Sequence, residues 1–297
     1  MSTCPNTERA FRADWNHFEA WCTAEDLIAF PADPSTVAVY IAALSATHKV
    51  SSLQRRLTAI NYYHRHHGDE RPYGPASLKH AAIASVMKGL KREKGTRTDA
   101  KAPLTTEQLR RMVRGLEGSP RGLRDRALLL IGFAGGFRRS ELVALDFADI
   151  ADVEDGLKIT IRRSKSDQEG QGRTLGIPYG ADPKTCPVRA YRRWIQAAAI
   201  TEGPVFRHFF NQTMGTKAIT SQVVADIVKR SAERVGLDAT ELSGHSLRSG
   251  LATTAARNGA SERSIMKQTG HRSVQMVRRY IHDAELFNDN AGAKLGL

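Results

Sequence analysis

Thirteen consecutive residues, KREKGTRTDAKAP over 91–103, hold five Lys or Arg, no large apolar side chain and a closing proline. Such a segment cannot enter a core, because its charges would leave water unpaired and it offers no apolar area in return. The chain must therefore condense on either side of it. We read a helical domain over 1–95, a linker over 96–103 and a larger domain over 104–297. With 297 residues, 41% of them hydrophobic, both parts have the material for a core.

Apolar residues recur at helical spacing in the first part, predicting helices over 8–22, 35–47, 51–66 and 76–92. Pro34 with Ser35 and Thr36 reads as one helix start, and Ser51 or Ser52 as another. Beyond the linker, Thr105 or Thr106 caps LTTEQLRRMVRGL, and RGLRDRALLLIGFAGGF reads as a buried helix. GLKITIR (156–162) and RTLGIP (173–178) alternate as strands do, and the turn-rich SKSDQEGQG between them makes a hairpin. Further helices are expected over 185–199, 219–235, 245–257, 261–268 and 273–282. The fold class is mainly α with a small β-sheet, a helical N-terminal domain joined to an α+β domain.

Forty-four Lys and Arg against 31 Asp and Glu leave a net charge of +13. Clustered cations bind phosphates by releasing condensed counterions, so a polyanionic partner is favoured. The longest apolar stretch, Ala127 to Phe137, has 11 residues including three glycines, short of the roughly 20 that cross a bilayer. The N-terminus lacks the continuous apolar core of a signal peptide. Cys4, Cys22 and Cys186 are scattered without metal-type pairing, which fits a reducing cytosol. Asp149, Asp152, Glu154 and Asp155 read as a solvated loop, and His64, His66 and His67 as a wet helix end, so no metal or other cofactor is expected.

Four clusters in the second part could serve phosphate chemistry: GGFRRSEL (135–142), the lysine in RRSKSDQ (162–168), SGHSLRSG (243–250) and TGHRSVQMVRRYIH (269–282). His245 and Arg248 lie three residues apart, about 300° of helical rotation, and so share a face. A helix N-terminus there suits an anion. The alternative is a capping histidine beside a solvated arginine. Nine residues separate His271 from Tyr280, about 180° on a continuous helix. With Ser273 as cap, His271 falls in the preceding turn and Tyr280 on the last turn of the helix, where a packing tyrosine is the alternative. Arg138 has Glu141 one turn away, the ordinary carboxylate partner of an arginine.

In this order the four clusters resemble the signature of the tyrosine recombinase (phage integrase) family. The resemblance spans nearly the whole chain, with the layout of Cre-like members: a core-binding domain, a linker, and a catalytic domain with a short tail. It implies that Arg138 and Arg248 hold the scissile phosphate, Lys165 protonates the leaving 5′-oxygen, His245 moves the tyrosine proton, His271 donates to a non-bridging oxygen, Tyr280 is the nucleophile and Glu141 supports the first arginine. Two guanidiniums suit the task because their planar forks stay charged and donate bidentately. A phenol, with pKa of about 10, needs help to lose its proton.

The implied activity is site-specific DNA recombination through a 3′-phosphotyrosine, for integration, excision or resolution. Energy is conserved in that linkage, so neither ATP nor a metal is called for. A type IB topoisomerase and a non-catalytic DNA-binding accessory protein are the alternatives. The implied partner is double-stranded DNA carrying specific sites, bound by a homotetramer. Ser52, Arg55 and Arg56 resemble a DNA-facing helix, and Lys217, Thr220, Ser221 and Gln222 are placed to enter the major groove. The tail 283–297 would dock on a neighbouring protomer through Leu286, Phe287 and Leu295. A basic solvated helix face and a tail folded back in cis are the respective alternatives.

Overall fold

The computed structural model describes residues 5–95, 101–164, 167, 171–285 and 295. Contacts divide the chain into two units, Met1–Asp99 and Ala100–Leu297.

The first unit is four helices: α1 (Pro5–Ala24), α2 (Pro34–Ala43), α3 (Val50–His66) and α4 (Ala81–Lys94). Leu53, Leu57, Ile60 and His64 fall at spacings of three and four along α3, so that face turns inward against Phe18, Tyr40, Ile41 and Met87. Asp33 caps α2 by accepting from Ser35 N at 2.8 Å, and Pro34 takes the first helical position, where its missing N–H costs nothing. Lys49, not Ser51 or Ser52, is the N-cap of α3, and both serines sit in its first turn. α4 begins at Ala81, later than expected, because Ala76 donates to Asn61 Oδ1 at 2.8 Å and holds the preceding residues in turns.

Two first-unit expectations are corrected by burial. His64 is fully buried; its Nδ1 donates to Ile60 O at 2.9 Å and its Nε2 accepts from Ala32 N at 3.0 Å. Both ring nitrogens being used, His64 is a neutral core residue, and only His66 and His67 form an exposed end. Arg56, expected to face DNA, points into the core instead, with Nη1 donating to Tyr40 Oη at 2.6 Å. The exposed face of α3 presents Gln54, Arg55 and Thr58, with Ser52 half-buried.

The second unit is built around α6 (Pro120–Gly135), whose Ala127–Ile131 stretch is buried on all sides. α5 (Thr106–Arg114) precedes it, opened by a reciprocal cap between Thr105 and Gln108. After the short α7 (Arg139–Val143), strands β1 (Ile150–Val153), β2 (Gly156–Ile161) and β3 (Arg173–Pro178) form an antiparallel sheet in that order. Leu157, Ile159 and Ile161 pair across to Ile177, Leu175 and Arg173, so one face of the sheet joins the core. α8 (Pro187–Ala197) packs on α6, and a second hairpin, β4 (Arg207–Phe210) with β5 (Thr213–Ala218), leads into α9 (Ser221–Glu233). α10 (Ser246–Arg257), α11 (Glu262–Thr269) and α12 (Val274–Glu285) complete the unit.

Sequence periodicity missed α7, β1 and β4, each too short for its pattern to register, and β5, which buries no side chain fully and so writes no alternation. The acidic loop is corrected as well. Asp149 is buried and accepts from Arg162 Nε at 2.6 Å, while Asp152 rides β1 and is forked by Arg192 at 2.7 Å. Among the described residues no helix is long and apolar enough to cross a membrane.

A small apolar cluster stands apart from the main core. Ala252, Ala256, Ile265 and Val277 form it, with Tyr280 and Ile281 against its edge, and it carries α12 on α10 and α11.

Candidate active site

The site begins where α6 ends. Gly136 adopts a left-handed conformation (φ 58°), and a Cβ there would lie 2.5 Å from Leu251 Cδ2. Glycine meets both conditions and makes the turn that delivers Arg138 to the N-cap of α7. Glu141 then accepts twice from the same residue, at Oε2 from Arg138 N (3.0 Å) and at Oε1 from Arg138 Nη1 (2.6 Å). The carboxylate is buried and also lies 3.5 Å from Arg173 Nη2.

His245 is the N-cap residue of α10, and Arg248 follows in the first turn, buried to 1% exposure. Arg248 Nη1 donates to Gly136 O at 2.6 Å and to Thr269 O at 2.5 Å, which locks the fork between the end of α6 and the end of α11. No carboxylate pairs with it among the described residues, and its buried Nη2 has no partner. Burial and the nearby Arg138 pull its pKa down to about 10, still far above neutrality. Arg138 and Arg173 thus share the one carboxylate of Glu141, and Arg248 has none. The pocket holds uncompensated positive charge out of water, the condition in which an anion is attracted most strongly.

Tyr280 comes in from α12. Its hydroxyl is 3.2 Å from His245 Nε2, and its ring lies 6.0 Å from that of His271. Burial first, then Arg248, Arg139 and Arg138, lower the His245 pKa below its usual 6.5, so the ring is neutral at pH 7 and Nε2 can accept a proton. His271 is lowered to about 4, by burial first and then by Arg248, Arg138, His245 and Arg173. Its Nδ1 sits 2.7 Å from Thr269 Oγ1, which is also 2.7 Å from Ile265 O. The hydroxyl has one proton. When it donates to Ile265, Nδ1 must carry the ring proton; when it turns to Nδ1, the neutral ring carries its proton on Nε2 and can donate there.

Residues 103–286, more than half of the chain, match the model of the phage integrase family. Over 292 residues the chain is 38% identical to the integrase/recombinase xerD homolog of Selenomonas ruminantium, covering 98% of this chain and 85% of that one. The chain is a tyrosine recombinase of that family. It is 31% identical over 248 residues to tyrosine recombinase XerD of Bifidobacterium longum, covering 82% of this chain and 75% of the relative. Among solved structures it resembles XerH site-specific recombinase bound to a palindromic difH substrate (TM-score 0.66, 17% identity, 88% of this chain and 72% of that one). It also resembles a lambda integrase fragment bound to a COC′ core site (TM-score 0.58, 16% identity, 84% and 80%). At those identities the likeness is one of fold.

Of the recombinase's expected site residues, Arg138, Glu141, His245, Arg248, His271 and Tyr280 converge on this pocket. Lys165 lies outside the described residues. A cleft of about 210 Å³ at the base of its hairpin runs between Ile161, Gly172 and Arg173 on one side and Gly270, His271 and Arg272 on the other. Lys217 is exposed on β5, Thr220 is the N-cap of α9, and Ser221 and Gln222 open that helix, with Gln222 Nε2 donating to Asp226 Oδ1 at 3.0 Å. Ser52, Arg55 and Arg56 belong to the first unit, where Arg55 forks Asp14 at 2.8 and 3.0 Å. Leu286 and Phe287 are outside the described residues, and Leu295 is 67% exposed.

Sequence reasoning missed Thr269 and Arg173. Nothing in the pattern marks Thr269, whose role depends on where a turn brings it. Arg173 was findable: the strand period puts it on the same face as Leu175 and Ile177, a charge on an apolar face.

Proposed function

We propose that the recombinase cuts one strand of a DNA duplex by attack of Tyr280 Oη on the scissile phosphate. A P–Oη bond forms and the P–O5′ bond breaks. The tyrosine proton passes to His245 Nε2, and Lys165 supplies a proton to the departing 5′-oxygen. Arg138 and Arg248 donate to the non-bridging oxygens, and His271 Nε2 strengthens that binding as charge builds. The 3′-phosphotyrosine keeps the bond energy, so the 5′-hydroxyl of another strand can displace Tyr280 and restore a phosphodiester.

One observation carries this reading: the Tyr280 hydroxyl stands 3.2 Å from a neutral histidine, beside a buried guanidinium whose Nη2 has no partner. A packing tyrosine needs neither neighbour. The wider reading follows the family. The first unit and the residues Ser52, Arg55, Lys217, Thr220, Ser221 and Gln222 would hold the flanking duplex, with residues 96–103 as linker. Four protomers would assemble on paired sites in the cytoplasm, each tail, 283–297, on a neighbour.

The test starts from a random-sequence duplex pool, from which DNA linked covalently to the protein is recovered and mapped. A nicked duplex carrying that site should trap wild type as a covalent complex. Tyr280→Phe should abolish trapping while retention of the site in a gel changes less than about twofold. Equal loss of both refutes the nucleophile assignment.

A further inference from the structure

Arg173 opens β3 directly after the loop 162–172, and its guanidinium turns away from the sheet toward the end of α11. Nη1 donates to Gln268 O at 2.8 Å and to Lys267 O at 3.4 Å, and Nη2 donates to Thr269 O at 3.4 Å. Nη2 also meets Glu141 Oε2 at 3.5 Å. The buried Nε has no hydrogen-bond partner and lies against Gly270, where a Cβ would come within 2.7 Å of it. Gly270 itself has φ 67°, so it meets two demands at once: a left-handed turn and a bare surface for the guanidinium. The next residue is His271.

One side chain therefore touches three chain segments: the hairpin strand, the turn before His271, and the carboxylate that orients Arg138. An ordinary cationic helix cap would sit in water. This one is 20% exposed, and burial lowers its pKa despite the carboxylate beside it. For stability alone a well-packed apolar side chain would do as well. An apolar side chain could not, however, hold three carbonyls and a carboxylate at fixed positions.

We infer that Arg173 is a positioning residue for strand cleavage: it fastens the lysine hairpin and the His271 turn to the Arg138–Glu141 pair, so that groups from separate segments reach one phosphate in register. This rests on the recombinase reading above. Arg173 donates to backbone and carboxylate and touches no reacting atom, so its effect runs through His271 and Glu141.

The experiment is a coupling measurement on the full chain with the mapped nicked duplex. Single-turnover cleavage is measured for wild type, Arg173→Met, His271→Ala and the double variant. Arg173→Met should slow cleavage by about 10²-fold, the scale of an ångström-level misplacement. It should leave site retention within about twofold. In the His271→Ala background the same change should slow cleavage by only about 10-fold, because one of the groups it positions is gone while the Arg138–Glu141 pair remains. Losses that multiply overturn the proposal. If Arg173→Met unfolds, Arg173→Lys, which keeps the charge but not the fork, takes its place with the same expected coupling. A wild type that forms no covalent complex overturns the recombinase reading and this proposal together. Trapping by wild type with multiplicative losses overturns the proposal alone.

Discussion

Each unit of the molecule gathers arginines around a single buried carboxylate, and the two gatherings do opposite things. In the first unit Arg55 forks Asp14, and Arg56 lies 3.9 Å from it while donating to Tyr40. Arg55 is half in water, its side chain 52% exposed, so its surplus charge is screened. In the second unit Glu141 serves Arg138 and Arg173, while Arg248 is fixed by two carbonyls and sealed from solvent. There the surplus charge is neither neutralised nor hydrated. Solvent access, more than the count of arginines, separates a structural knot from a site that awaits an anion.

The strongest way to break this contrast is Arg248→Lys, which keeps the charge and removes the fork. Cleavage of the mapped duplex should fall by about 10²- to 10³-fold, as when an oriented donor to transition-state charge is lost. A loss under about fivefold, read in single-turnover trapping, means charge alone suffices. Next is Asp14→Asn. Removing the carboxylate leaves a buried network short of an acceptor, so it should cost about 1–3 kcal/mol in urea unfolding while cleavage at saturating DNA is unchanged. Slower chemistry in a fully folded sample would mean that the first knot also serves catalysis.

Smaller is the effect of Arg139→Gln. Arg139 helps lower the His245 pKa below 6.5, so under the proposed mechanism His245 would serve as base above that pKa and be lost as base when protonated beneath it. Removing that cation raises the pKa and moves the acid limb of the cleavage-rate profile toward higher pH. A limb that stays in place assigns the titration to another group. Smallest is Arg55→Gln, a half-exposed pair member, expected to cost about 0.2–1 kcal/mol in unfolding. Its informative readout is DNA retention against salt, where a lost phosphate contact reduces the slope of log affinity by about one. An unchanged slope removes Arg55 from the interface.

How much of this was legible from residues alone follows from the range of the forces involved. Period and capping mark the long helices, because α3 and α6 write their burial into every third or fourth residue. The hairpin at β2 and β3 was equally plain from alternation. The candidate-site motifs were readable as an ordered set, whereas their convergence was not, since Arg138, His245, His271 and Tyr280 meet through Gly136 and Gly270 turns of no periodicity. Arg56 and His64 misled because helical spacing shows which residues share a face but not that the face is closed by Tyr40 and Ala32 from elsewhere. Asp149 misled in the same way, its partner Arg162 lying across the sheet.

The cluster under α12 has a consequence for how holding and cutting can come apart. Arg138 and Arg248 are rooted beside the main core, flanked by Phe137, Leu142 and Leu247, whereas Tyr280 rides a helix whose buried anchor is Val277 against two alanines and an isoleucine. Segments with so little apolar area beneath them open locally long before the domain unfolds. Brief detachment of α12 would take the phenol away and leave the cationic pocket standing, so a protomer in that state should still hold a phosphate under the proposed mechanism. The amides of α12 should then exchange with solvent orders of magnitude faster than those of α6, and the blade of this cutter is held more loosely than its vice.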